Sequence, residues 1–171
     1  MNPTVRAQRR KLIGVANYQF GSHIGTALFN DKIQIVCSRR TGRIRHILKG
    51  KRLLATLRPT DGYLALTVVG AQLLLDRIDE PPNVVSVQSD VSEFIKRGGD
   101  VFSKHVVSAS DMRPAEEAIV TDAEGNLLGV GAACISGRDM KYFKRGVAVR
   151  IRSGVASKKT RTDISLQEIL E

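Results

Sequence analysis

Fifteen residues, Ser38 to Arg52 (SRRTGRIRHILKGKR), carry seven Lys or Arg side chains and no acid. Arg39, Arg40, Arg43, Arg45, Lys49, Lys51 and Arg52 are cationic at neutral pH, and a guanidinium presents a planar fork of donors that matches phosphate oxygens. Ile44, Ile47 and Leu48 are threaded among them, so the stretch is patterned for a fold rather than for a loose tail. With Ile44, and with it His46 and Leu48, facing inward, Arg43 and Arg45 face outward beside the turn residues Arg39 and Arg40. Lys49, Lys51 and Arg52 then gather at the next turn. A two-stranded ribbon with cations at both ends can bridge phosphates along a nucleic-acid backbone. Solvated faces ordinarily mix both signs, and this one does not. A second stretch, KRGGDVF from Lys96 to Phe102, joins two cations to a Gly-Gly step. Such a step lets the backbone approach a ligand closely and is expected to leave amide N–H groups free for phosphate or sugar oxygens.

Little else in the chain suggests chemistry. His23, His46 and His105 lie far from carboxylates in sequence and read as structural or surface histidines. Asp61 and Asp100 sit in turn and cleft contexts, but neither has a visible catalytic partner. Cys37 and Cys134 fall in separate apolar runs, IQIVCS and GAACIS, which suits two buried reduced thiols rather than a metal site. Walker, Rossmann and CxxC patterns are absent, so no cofactor is expected.

The whole chain agrees with a polyanionic partner. It has 171 residues, a net charge of +10 and a pI near 10.1. Residues 1–80 carry 14 Lys/Arg against 5 Asp/Glu, whereas residues 81–171 carry 13 against 12. The surplus belongs to the first half, and a charge kept only for solubility has no reason to segregate. Nucleic acid is the first partner to consider and an anionic membrane the second. No apolar run approaches the roughly 18 residues of a membrane span, and the basic start MNPTVRAQRRKLIGV lacks the apolar core of a signal peptide. A soluble cytoplasmic protein is expected.

These residues must be held by elements that the chain spells out in order. Residues 1–12 read as a basic, frayed arm. Residues 13–78 read as a first domain. Ile13, Ala16, Phe20 and Ile24 recur at helical spacing, as one helix or as two hinged at Gly21. KIQIVCS, IRHIL, RLLATL and YLALTV follow as strands, separated by RRTGR, KGK and RPTDG, and AQLLLDRI closes the unit as a helix. DEPPN, at 79–83, is a linker, because two prolines suit neither a helix interior nor a central strand. Residues 84–155 read as a second domain. VVSVQ is a strand, and SDVSEFIKRG is a helix capped by Ser89 or Asp90 and stopped by Gly98. DVFSKHVV is a strand, AIVTDAEGNLLGVGAACIS two strands about a turn, GRDMKYFKRG a short helix ended by Gly146, and VAVRIR a last strand. Residues 156–171 form a tail in which Ser165 and Glu168 have capping-box spacing. The class is α+β in two small domains: an antiparallel sheet with flanking helices, then a small mixed barrel.

Three segments, KRGGDVF, MRPAEEAIVTDAEGNLLGVGAA and ISGRDMKYFKRGVAVRIR, resemble a PUA domain, the RNA-binding module named for pseudouridine synthases and archaeosine transglycosylases. ANYQFGSHIGTALF, SRRTGRIRHI and LLATLRPTDGYLALTVVGAQLL resemble the domain that precedes the PUA module in archaeal tRNA-guanine transglycosylase. The chain departs from the family at Ala115-Glu116, where Gly-Asp is usual, and at Ser103-Lys104-His105, where small residues are usual. The resemblance stops short of that enzyme's catalytic barrel. It implies a groove at the helix–strand corner that holds RNA, commonly near a tRNA acceptor end, and nominates Lys96, Arg97, Gly98, Gly99, Asp100, Val101 and Phe102, with Lys144, Arg145 and Arg150 opposite. The expected function is non-catalytic binding of tRNA or another structured RNA, as a targeting subunit for a separate catalytic polypeptide such as a tRNA-guanine transglycosylase. A ribosome-assembly factor and a small RNA-modifying enzyme are the competing expectations.

Overall fold

The computed structural model describes residues 3–30 and 32–157. They divide into two compact units, one running to Glu80 and the other starting at Pro81. The expected tail, apart from Ala156 and Ser157, lies outside the described residues.

In the first unit, helix α1 spans Pro3–Phe20. The basic arm expected at 1–12 is therefore corrected: from Pro3 onward it is the first half of a helix. Leu12, Ala16 and Phe20, spaced by four, form one buried stripe, and the Arg, Gln, Lys and Ala residues ahead of them are good helix formers. Two side chains fasten this half down. Arg9 Nε donates to the Phe29 carbonyl at 2.9 Å, and the Gln8 amide donates to Cys37 Sγ at 3.4 Å. The chain breaks at Gly21, whose φ of 105° an L residue resists, and α2 (Ile24–Leu28) follows. Two helices hinged at Gly21 is thus the outcome. Their backbones meet at Gly25, whose N–H donates to Asn17 Oδ1 at 2.8 Å and where a Cβ would overlap the Ile13 carbonyl.

Strands β1 (Ile33–Cys37), β2 (Ile44–Lys49), β3 (Arg52–Leu57) and β4 (Leu64–Leu66) form an antiparallel meander in sequence order. The β3–β4 turn is tied by Asp61, which accepts from Tyr63 N–H at 3.0 Å and pairs with Arg58 at 2.9 Å. Strand β4 is shorter than the YLALTV reading. The Thr67 hydroxyl donates to the Leu53 carbonyl at 2.5 Å and accepts from Gly70 N–H at 3.2 Å. It thereby caps α3 (Val68–Leu75), which starts three residues before the expected Ala71.

The second unit contains β5 (Val84–Val87), a 3₁₀ turn (Ser89–Val91), α4 (Ser92–Lys96), β6 (Val101–Phe102), a 3₁₀ turn (Ser103–His105), β7 (Val106–Ala109), β8 (Glu117–Thr121), β9 (Leu127–Ala133) and β10 (Val147–Gly154). The strand order is β6-β10-β9-β8-β5-β7, with β5 parallel to β8 and every other pair antiparallel. DVFSKHVV is not one strand. Its halves lie at opposite edges of the sheet, and the single turn Ser103–His105 crosses between them, which nearly closes the barrel. The core is aliphatic plus methionine, with Val85, Val87, Ile95, Val101, Met112, Leu128, Met140 and Val149 at its centre.

Other expectations are corrected. GRDMKYFKRG is a run of turns rather than a helix. Met140 alone plunges into the core, Tyr142 and Phe143 stay outside, and no helical stripe exists to bury. Neither Ser89 nor Asp90 caps α4 through its side chain, because the 3₁₀ turn occupies that place. The thiols are not buried either: Cys134 is exposed and Cys37 half-buried. The last residue of DEPPN belongs to the second unit: buried Asn83 holds φ at 55° and donates from its amide to the Glu117 carbonyl at 2.9 Å.

Ala115-Glu116, where the resembling sequences usually have Gly-Asp, takes a definite conformation. Ala115 sits at φ 70°, the conformation Gly would adopt freely, and Glu116 supplies the carboxylate that accepts from Arg113 N–H at 2.8 Å. A left-handed alanine costs roughly 1–2 kcal/mol, and glycine returns about 0.4–1 kcal/mol of that through its looser unfolded chain. Ala115→Gly is therefore expected to stabilise the second unit by about 0.5–1 kcal/mol, measured as a raised melting temperature; a lower one would refute the strain.

Candidate nucleic-acid interface

The first unit offers the ribbon. Val36 faces His46 across β1 and β2, and Cys37 faces Ile44, so Arg45 is the extra residue of a β-bulge. A second irregularity leaves Leu54 unmatched between the partners of Ile47 and Leu48. Bulges turn side chains off the simple two-residue alternation. The expected inward set is corrected accordingly: Ile47 and Leu48 are both fully buried, while Ile44 and His46 are half-buried. Arg39, Arg40, Arg43, Arg45, Lys51 and Arg52 are exposed and Lys49 half-buried. None of the seven forms an ion pair with another described residue. The arginine cluster and the Lys49–Lys51–Arg52 cluster lie at opposite ends of β2, about 17 Å apart at the usual rise per residue.

His46 is held inside this field. Burial lowers its pKa from 6.5, and the neighbouring Arg45 lowers it further. Its Nδ1 lies 3.4 Å from the Thr56 hydroxyl. Because the folded value is depressed, the unfolded chain binds the proton more readily, and stability rises with pH through this region. The penalty is present in full below the folded pKa and is gone above 6.5. His46→Gln is expected to flatten the pH dependence of melting of the first unit below pH 6.5; a slope equal to the parent's would refute the assignment.

The second unit offers a groove of about 320 Å³ lined by Val91, Phe94, Ile95, Asp100, Val101, Phe102, Lys104 and His105. The structure redistributes the roles expected here. The Gly98 and Gly99 amides are not free. They donate to the carbonyls of Ile95 (2.9 Å) and Phe94 (3.0 Å), and Gly98, at φ 100°, closes α4 as glycine does at a helix end. Gly99 has a different use: a Cβ there would overlap the Phe94 ring, so the missing side chain is the seat on which that ring lies. Asp100 Oδ1 accepts from Ile151 N–H at 2.8 Å and extends the β6–β10 ladder. Val101 is 1% exposed and belongs to the floor of the groove and to the core beneath it. Lys96 pairs with Glu93 at 2.9 Å, and that carboxylate holds its ammonium above the ordinary value. Arg97 and Phe102 face solvent, as do Lys144, Arg145 and Arg150. Asp61, tied to Arg58 and the turn, is likewise a structural residue.

Beside Phe102, which the sequence reading names, the structure adds Phe94, Tyr142 and Phe143, which it passed over. All four aromatic residues of the second unit stand on its surface: Phe94, Phe102, Tyr142 and Phe143 are 56, 41, 73 and 52% exposed. Phe94 and Phe102 flank the groove. Tyr142 and Phe143 lie in the loop that ends at Gly146, whose carbonyl accepts from Ser103 N–H at 3.0 Å, one residue past Phe102. Lys141 sits 5.2 Å from the Tyr142 ring centroid. Aromatic faces interleaved with cations suit stacked bases and phosphates. The signal was available: a barrel with an aliphatic core has no inward use for its aromatics. Glu117 was also passed over. It is 1% exposed and takes both bonds of a forked pair from Arg152, one of them, from Nη1, at 3.1 Å.

Comparison with known proteins follows this division. Residues 10–81 match the family described as patch-forming domain C2 of tRNA-guanine transglycosylase, and residues 83–155 match the PUA domain family. A tRNA-guanine(15) transglycosylase of Methanobrevibacter smithii is 37% identical over 147 residues, 85% of this chain and 22% of that protein. The Thermococcus kodakarensis enzyme of the same name is 37% identical over 148 residues, 86% of this chain and 25% of its own length. The chain thus spans about a quarter of the curated relatives it matches. Among solved structures, a hypothetical protein of Pyrococcus horikoshii shares the fold with a TM-score of 0.75 at 22% identity, covering 93% of this chain and 96% of its own. A PUA domain protein of Thermoplasma acidophilum does so at 0.64 and 20% identity, covering 91% and 96%.

Proposed function

Residues 10–81 belong to the patch-forming C2 domain family of tRNA-guanine transglycosylase and residues 83–155 are a PUA domain, and from that premise we propose that the chain binds tRNA and delivers it to a separate catalytic polypeptide. The carrying observation is that residues matching the C2 domain and residues matching the PUA domain stand side by side in one chain, with exposed cations on both units. The chain supplies grip rather than chemistry. The second unit takes unpaired nucleotides in the groove between Phe94 and Phe102, with Arg97, Lys104, Lys144, Arg145 and Arg150 on the phosphates. The first unit adds the ribbon Arg39, Arg40, Arg43, Arg45, Lys49, Lys51 and Arg52, which positions the backbone and reads no sequence.

Titration of the purified chain with unmodified tRNA and with a ribosomal RNA hairpin of equal length tests this. Tighter binding of tRNA, with an affinity that falls steeply with salt, is the expected result. Equal or tighter binding of the ribosomal fragment would favour an assembly role and overturn the proposal.

A further inference from the structure

The helix α1 that replaces the expected arm creates a surface with no role yet assigned. Arg6, Ala7, Arg10, Lys11, Gly14 and Tyr18 are all exposed. At 100° per residue they fall within one stripe about 140° wide, opposite Leu12, Ala16 and Phe20. From Arg6 to Tyr18 the stripe runs about 18 Å. It contains no acid, and Arg6, Arg10 and Lys11 make no ion pair with another described residue. At its far end Tyr18 stacks on Tyr63, with ring centroids 6.2 Å apart and planes 21° from parallel. That pair is held in place by the adjacent Gln19, which donates to the Leu64 carbonyl at 2.9 Å and accepts from Leu64 N–H at 2.8 Å. Tyr18 is nevertheless 78% exposed.

Three features of this stripe work against the helix that carries it. The cations crowd its N-terminal half, where the helix dipole is already positive. Arg6 and Arg10 repel at i, i+4. Gly14 stands mid-helix with nothing within 4 Å of where a Cβ would be, so neither packing nor backbone conformation calls for glycine, a poor helix former. A polyanion laid along the stripe accounts for all three at once. It neutralises the cations, and it comes close where Gly14 leaves the helix bare.

We propose that the outer face of α1 is a track for an RNA backbone, with phosphates on Arg6, Arg10 and Lys11, close approach over Gly14, and a base laid on Tyr18. This rests on the reading that the chain binds RNA and adds a surface distinct from the ribbon and the groove. A polyanion fits better than a protein partner, because the stripe offers cations and small residues but only one large apolar side chain.

Two variants of the full chain test it, Arg6→Gln/Arg10→Gln/Lys11→Gln and Gly14→Leu, each titrated with tRNA over a salt series and melted. The triple variant is expected to lower the slope of log K against log salt by about 2 to 3 without lowering the melting temperature. Gly14→Leu is expected to raise the melting temperature and to weaken binding roughly tenfold, the scale of one lost stacked base. Parent-like binding by both variants, beside a parent that binds RNA, overturns the track and leaves the wider reading standing. A parent that binds no RNA overturns both. Loss of a co-purifying polypeptide with RNA affinity unchanged would assign the face to a protein and also overturn the proposal.

Discussion

Replacing Arg39, Arg40, Arg43 and Arg45 together by Glu is expected to weaken tRNA binding about a hundredfold near physiological salt. Each exposed charge-assisted contact contributes on the order of 0.7 kcal/mol, and four of them amount to about two decades. The slope of log K against log salt should fall by about 3, since each lost phosphate contact removes 0.7 to 0.9. These four residues are suited to the comparison because, apart from the charge of Arg45 beside His46, their side chains have no other visible part in the fold. All are exposed and none is engaged in an ion pair with a described residue. Arg45 owes its position to the bulge and not to packing. Melting should therefore stay close to the parent's. An unchanged slope would mean that the ribbon is only a solvated face.

The second large effect separates two arginines on one strand. Arg152→Ala is expected to destabilise the second unit by about 2 kcal/mol. It leaves the Glu117 carboxylate, 1% exposed in β8, without its guanidinium, while Arg152 itself is 40% exposed, and a buried acceptor left without its donor costs roughly 1–3 kcal/mol. For a unit of this size that lowers the melting temperature by about 8–16 °C. Arg150→Ala, two residues earlier and exposed, should change stability by no more than about 0.5 kcal/mol and instead weaken tRNA binding. Calorimetry and a binding titration on both variants give the answer. Equal stability effects would contradict the division into a structural and a ligand-facing arginine.

The strands of the first unit were legible because RRTGR, KGK and RPTDG punctuate them with residues that turns demand, and because apolar and polar residues alternate between. The helix at residues 3–12 was not legible: only Leu12 of its buried stripe falls there, so the stripe becomes visible when Ala16 and Phe20 are read with it. The bulge at Arg45 was hidden for a related reason. A period of two assigns faces one by one and has no place for an extra residue, and only the cross-strand partners reveal it. In the second unit the mixed barrel was legible, but the route by which it closes was not, since the turn at Ser103–His105 that splits DVFSKHVV depends on a contact with Gly146 far along the chain. Gly98 and Gly99 were rightly noticed and wrongly employed. The sequence shows that a side chain is missing, not whether the space is left for a ligand, for a helix end or for the ring of Phe94. The pair of buried Glu117 with exposed Arg152 joins residues 35 apart, a distance at which composition carries no signal. The exposed aromatics carried one, in that a core of Val, Leu, Ile, Ala and Met had no need of them.

Ultraviolet crosslinking of the chain to unfractionated RNA, with the attached nucleotides sequenced and the attached residues mapped, tests the central claim most directly. The expected result is tRNA as the dominant species, joined through Phe94, Phe102, Tyr142 or Phe143 in the second unit and through the ribbon in the first. Recovery of another RNA, or of tRNA joined only at surfaces away from the ribbon, the groove and α1, would contradict it.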